Sequence, residues 1–112
     1  MRLTKTRRSK YGSMKTMRNG IVFDSIREAD RYSELLLLEK SGLIKDLRLQ
    51  VKFELIPKNG SERAVCYYAD FTYTESGRQV AEDVKGVRTR DYIIKKKMLK
   101  WRYPDIQFRE VD

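Results

Sequence analysis

The stretch from Tyr67 to Gly86, YYADFTYTESGRQVAEDVKG, holds two aspartates and a lysine at a spacing that could do chemistry. Ser76-Gly77 makes a two-residue hairpin loop between segments rich in Tyr, Phe, Thr and Val. That loop sets Glu75 opposite Arg78. Counting back, Thr74 meets Gln79, Tyr73 meets Val80, Thr72 meets Ala81, and Asp70 meets Asp83. Like charges directly opposite on a sheet destabilise it. At about 5 Å and an effective dielectric near 20, the repulsion is about 3 kcal/mol, so something should offset it. Asp83 and Lys85 are two apart on one strand and project from the same face. A divalent cation between the carboxylates would turn the repulsion into a ligand site. The lysine could then hold or deprotonate an attacking water and face a phosphate oxygen. The competing reading is a solvated strand face whose charges only keep it soluble, and the opposed Asp70 weighs against it. Glu82 points to the opposite, apolar side in this register and ranks below Asp83.

Glu28 is the next acid. In helical projection it lies at the edge of the stripe formed by Ala29, Tyr32, Leu35 and Leu36, while Arg27, Asp30, Arg31 and Glu34 take the solvated side. Ser25-x-x-Glu28 also fits a capping box, in which the glutamate merely accepts from the N–H of the capping residue. Gln50, on a polar strand face, could orient a ligand or water, or be an ordinary exposed residue.

Composition narrows the chemistry. The chain has 112 residues, 37% of them charged, with a net charge of +9. So large a basic surplus points to a polyanionic partner, nucleic acid first; the alternative is a merely soluble basic protein. With no histidine and one cysteine, Cys66, there is no disulfide framework, no histidine or cysteine metal site and no nucleophile–histidine pair. Hydrolysis would have to rest on carboxylates, lysine and a hard, oxygen-liking cation such as Mg²⁺. No apolar run is long enough for a membrane span or signal peptide, and the expected setting is the cytoplasm.

The elements that must position these residues follow from pattern. Residues 1–10 are expected to be a basic arm with Arg7, Arg8 and Lys10, and residues 11–112 a single domain. Asn19-Gly20 predicts a small hairpin. A helix is expected from about Ser25 to Lys40, closed by Gly42. Leu47, Leu49, Val51, Phe53 and Leu55 alternate with polar residues as one strand with one apolar face. The Asp70–Asp83 hairpin follows, with Tyr67, Ala69, Phe71, Tyr73, Val80 and Val84 on its apolar side. TRDYIIKKKMLKWRYP reads as a second helix, with Ile94, Met98 and Trp101 along an inward stripe and Pro104 at its end. DIQFREV is a final strand. The order is hairpin, helix, three strands, helix, strand, a mixed α/β domain. Arg88 and Arg90 begin directly after the Asp83/Lys85 strand. With Lys95 and Lys96 they are expected to contact phosphates.

The series "GIVFDSIREADRY", "LRLQVKFEL", "YYADFTY", "VAEDVKG" and "RYPDIQF" resembles a family of small phage and prophage proteins without an assigned function. That family is grouped with the PD-(D/E)XK nucleases, which share a restriction-endonuclease-like core. The resemblance runs from about Tyr11 to Val111. It implies that Asp70 matches the first acid, Asp83 and Lys85 the (D/E)-x-K, and Glu28 the helix acid. Ala69, not proline, precedes Asp70.

The expectation is therefore a Mg²⁺-dependent DNA endonuclease of phage or prophage origin, in the cytoplasm of a bacterial host, with Mn²⁺ as an alternative ion. Asp70, Asp83 and Glu28 would hold the metal and Lys85 would orient the water. The resemblance implies 5′-phosphate and 3′-hydroxyl products. So small a domain has no room for a separate sequence-reading module, which favours branched or junction DNA over a fixed site. A homodimer would be compatible with this reading. The alternative is a non-catalytic basic nucleic-acid-binding protein on a nuclease-like fold.

Overall fold

A computed structural model of the protein describes residues 15–112. Its elements are β1 (Thr16–Arg18), β2 (Ile21–Phe23), α1 (Ile26–Lys40), β3 (Lys45–Ile56), β4 (Val65–Glu75), β5 (Arg78–Val84), α2 (Arg90–Arg102) and β6 (Gln107–Val111). Both hairpin turns form where expected. Asn19 and Gly20 have φ of +53° and +76°, and Ser76 and Gly77 of +52° and +76°. Positive φ at both central residues is what a type I′ turn requires, and its twist matches that of the strands it joins.

Helix α1 starts at Ser25, whose side chain accepts from the Glu28 N–H at 3.1 Å. It ends in a Schellman arrangement: Leu43 N–H donates to Leu38 O at 3.0 Å and Gly42 N–H to Glu39 O at 3.1 Å, with Gly42 at φ +85°. Helix α2 is capped by Thr89, which accepts from Tyr92 N–H at 3.2 Å.

The main sheet has the order β3-β4-β5-β6. Its first two pairings are antiparallel and β5 with β6 is parallel. A parallel pair needs a long crossover, and α2 supplies it. The β1–β2 hairpin forms its own small sheet. The architecture is a mixed α/β fold with a four-stranded mixed sheet, a two-stranded sheet and two helices.

The neighbours Val80 and Ala81 of β5 belong to two separate cores. Adjacent strand residues face opposite ways, so the cores lie on opposite sides of the sheet. The α1 side holds Phe23, Ala29, Tyr32, Leu35, Ile44, Phe71, Tyr73 and Val80. The α2 side holds Phe53, Leu55, Tyr67, Ala69, Ala81, Tyr92 and Leu99.

Two expectations are corrected here. Trp101 does not point inward: it is 82% exposed, and Ile94 is 55% exposed. The buried pair on α2 is Tyr92 and Leu99, seven residues apart and so on one face. Nor does β3 present a single apolar face. Leu47 and Leu49 pack with the α1 core, whereas Val51, Phe53 and Leu55 pack with the α2 core. The changeover falls at Gln50, whose φ is +52°.

Candidate functional site

The hairpin register predicted from Ser76-Gly77 holds pair by pair from Glu75↔Arg78 down to Phe71↔Glu82. There the regular ladder ends, and the next position is that of Asp70 and Asp83. Side chains replace backbone partners: Asp70 N–H donates to Asp83 Oδ1 at 3.0 Å, and Val84 N–H donates to Asp70 Oδ2 at 2.9 Å. These backbone donors offset part of the expected carboxylate repulsion. Asp83 is fully buried, and its Oδ2 has no hydrogen-bond partner. A buried polar atom left unsatisfied costs free energy on the order of 1–3 kcal/mol, so it calls for an explanation.

Helix α1 brings the third acid. Ser25 caps the helix, but the Glu28 carboxylate turns toward β3, where it accepts from Gln50 Nε2 at 3.4 Å. The same Nε2 lies 3.4 Å from Asp70 Oδ1. Burial, followed by the charges of Asp70, Asp24 and Asp83, pushes the Glu28 pKa up to about 8. Burial likewise raises Asp70, and it lifts Asp83 to about 6. The Lys85 charge acts on all three acids in the opposite sense. Its Nζ lies over the Tyr92 ring, 4.5 Å from the centroid. Glu28 thus feels the charges of Asp70 and of the Asp83–Lys85 segment, which come from two other parts of the chain.

On the other face, Glu82 is as buried as Asp83 but fully partnered. Arg31 reaches it with Nε to Oε2 at 2.6 Å and Nη2 to Oε1 at 2.9 Å, and Tyr73 O–H donates to Oε1 at 2.6 Å. Arg109 extends the network, donating to Tyr73 Oη at 3.2 Å and pairing with Glu75 at 2.5 Å. The helical projection places Arg31 on the solvated side of α1, yet its side chain is only 22% exposed. A bulky cation three residues after Glu28, with a second acid beside Asp83, was the available signal.

The expected phosphate contacts divide. Arg7, Arg8 and Lys10 lie outside the described residues. Arg88 pairs with Glu110 at 3.4 Å and Asp112 at 3.2 Å, and Lys96 pairs with Glu110 at 3.3 Å. Tyr92 O–H also donates to Glu110. Arg90 and Lys95 have no ion pair among the described residues. Arg27, which pattern reading set aside, packs over Gly86: a Cβ there would lie 3.2 Å from its Nη1. A guanidinium therefore stands beside the residue that follows Lys85.

Could this donor set take a cation? The orphaned Asp83 Oδ2, on the carboxylate that accepts from the Asp70 N–H, is an oxygen donor of the kind a hard divalent ion takes. Among the described residues, no three His, Cys, Asp or Glu side chains are grouped to hold an ion. The Gln50 amide spans the interval between Glu28 and Asp70.

No helix among the described residues is long and apolar enough to cross a membrane. Searches of curated proteins and of solved structures gave no match. Residues 8–111 match the model of a family described as "Protein of unknown function (DUF1064)", and the chain belongs to that family.

Proposed function

We propose that the protein is a divalent-metal-dependent DNA endonuclease with a restriction-endonuclease-like core, hydrolysing phosphodiester bonds. The observation that carries this reading is the run of contacts from Glu28 through the Gln50 amide to Asp70 and from the Asp70 N–H to Asp83, with one buried oxygen of Asp83 left without a partner. The strand order and the helix on each face of the sheet also accord with such a core.

Asp70 and Asp83 would hold Mg²⁺ or Mn²⁺, with Glu28 as the third carboxylate. The ion would supply charge stabilisation at the phosphoryl oxygens and lower the pKa of a bound water. Lys85 projects from the same strand face as Asp83 and would orient the attacking water against the phosphate. Attack at phosphorus breaks the bond to the 3′ oxygen, leaving a 3′-hydroxyl and a 5′-phosphate. Arg27, Arg90 and Lys95 would hold flanking phosphates, and the net charge of +9 would draw the polyanion in. Branched or junction DNA is the proposed substrate: among the described residues, the sheet, its two helices and the small hairpin include no separate base-reading module. A phage or prophage origin and a bacterial cytoplasmic setting belong to the same proposal and rest on the sequence resemblance.

A panel of branched, duplex and single-stranded DNA, incubated with and without Mg²⁺, tests it. Cleavage of branched DNA that needs the ion and disappears in Lys85→Ala is expected. Salt-sensitive DNA binding with no cleavage under any metal condition would replace this reading with that of a non-catalytic nucleic-acid-binding protein.

A further inference from the structure

Gln50 lies in the middle of the 12-residue strand β3, yet its φ is +52°. A glutamine gains nothing from that left-handed backbone, and such residues persist where surrounding structure over-determines them, commonly at functional sites. Two other observations meet at this residue. The β3–β4 ladder pairs Leu49 with Phe71 and Val51 with Ala69, and skips the position between, which is Gln50 opposite Asp70. The Gln50 side chain places its amide nitrogen 3.4 Å from both Glu28 Oε2 and Asp70 Oδ1.

We infer that Gln50 is a positioning residue, whose amide fixes the helix acid Glu28 relative to the strand acid Asp70. The left-handed turn of the backbone is what aims it. Glu28 rides on α1 and Asp70 on β4, so without a shared partner only packing would set their separation. One amide that donates to both ties that separation to β3. Outer partners of this kind orient the groups that hold an ion, and losing one typically costs 10–100-fold in metal affinity. The inference rests on the proposed metal-dependent reading, but it concerns an arrangement present without metal.

Two variants separate the amide from the backbone. Gln50→Met keeps the length and the left-handed strain but removes both hydrogen bonds. Gln50→Gly removes the side chain and relaxes the backbone. In calorimetric titrations with Mg²⁺, both should bind about tenfold or more weakly than wild type. In EDTA, Gln50→Met should melt below wild type, and Gln50→Gly should melt a few degrees above Gln50→Met. With branched DNA, kcat should fall in Gln50→Met while KM stays. Mg²⁺ affinity of Gln50→Met equal to wild type would overturn the positioning role. A glycine variant no more stable than the methionine variant would overturn the account of the backbone. If the wild type itself binds no Mg²⁺, the metal reading fails, and a melting cycle in EDTA with Glu28→Gln and Gln50→Met decides the rest. Non-additive shifts would uphold the Gln50–Glu28 coupling, and additive shifts would overturn it.

Discussion

Glu82 and Asp83 are consecutive, equally buried acids on one strand, and they have opposite surroundings. Glu82 faces α1, and both its oxygens are taken by Arg31, with Tyr73 adding a third donor. Asp83 faces the other way, with one oxygen on the Asp70 N–H and the other on nothing. Burial alone therefore says little about the role of an acid. A buried carboxylate whose lone pairs are satisfied from within belongs to the fold, and one left short of partners is open to something from outside. The two roles are coupled through α1, because Arg31 and Glu28 are three residues apart on the same helix. The Arg31–Glu82 pair helps set where α1 rests, and so where Glu28 stands.

The largest effect should come from breaking the satisfied side. Arg31→Ala would leave Glu82 buried and unpaired, which typically costs about 3–5 kcal/mol. Urea unfolding measures this directly. A loss below about 1 kcal/mol would mean that the pair does not anchor α1.

The open side should show itself in pH dependence. The folded-state pKa of Glu28 is raised from 4.5 to about 8, first by burial and then by the neighbouring acids. Asp83 moves from 3.8 to about 6 for the same leading reason. Raised acids hold protons in the native state that the unfolded chain has already released. Stability is therefore full below the unfolded values and is lost as pH rises through the folded ones. The metal-free melting temperature should fall by several degrees between about pH 4.5 and 8. Glu28→Gln should flatten the upper part of that fall, and millimolar Mg²⁺ should suppress it. A melting temperature that climbs through this window in EDTA would mean that these acids are stabilised as anions.

The smallest effect concerns α2. Trp101 is 82% exposed, so Trp101→Ala should change unfolding free energy by no more than about 0.5 kcal/mol. A loss of 2 kcal/mol would restore the inward stripe expected from sequence.

That stripe shows where pattern reading reached its limit. Helix α2 carries Arg90, Lys95, Lys96, Lys97, Lys100 and Arg102 around nearly its whole circumference, so its apolar periodicity is faint. Long cationic stems also cover apolar surface while keeping their charge wet. Lys96 and Lys100 do this over Phe108, with Nζ 5.8 Å from the ring centroid in each case. Strong local signals fared better. Asn19-Gly20 and Ser76-Gly77 placed both hairpins, and the second fixed the pairing register that put Asp70 beside Asp83. Ser25 and Gly42 bounded α1. The parallel pairing of β5 with β6 and the left-handed Gln50 were not legible, since both depend on contacts between segments far apart in the chain. Gln50 stood out only as a polar residue able to orient a ligand.

The comparison between the two acids is tested most directly by thermal melts in EDTA and in millimolar Mg²⁺. Wild type, Asp83→Asn and Glu82→Gln are the proteins to compare. Asn can still accept the Asp70 N–H but withdraws the charge, whereas Gln weakens the pair with Arg31. An ion that binds only the folded site stabilises by mass action. Mg²⁺ should raise the melting temperature of wild type by several degrees and do the same for Glu82→Gln, which starts lower. It should do almost nothing for Asp83→Asn. An equal gain in Asp83→Asn, or no gain in wild type, would contradict the assignment of Asp83 as the acid that takes the ion.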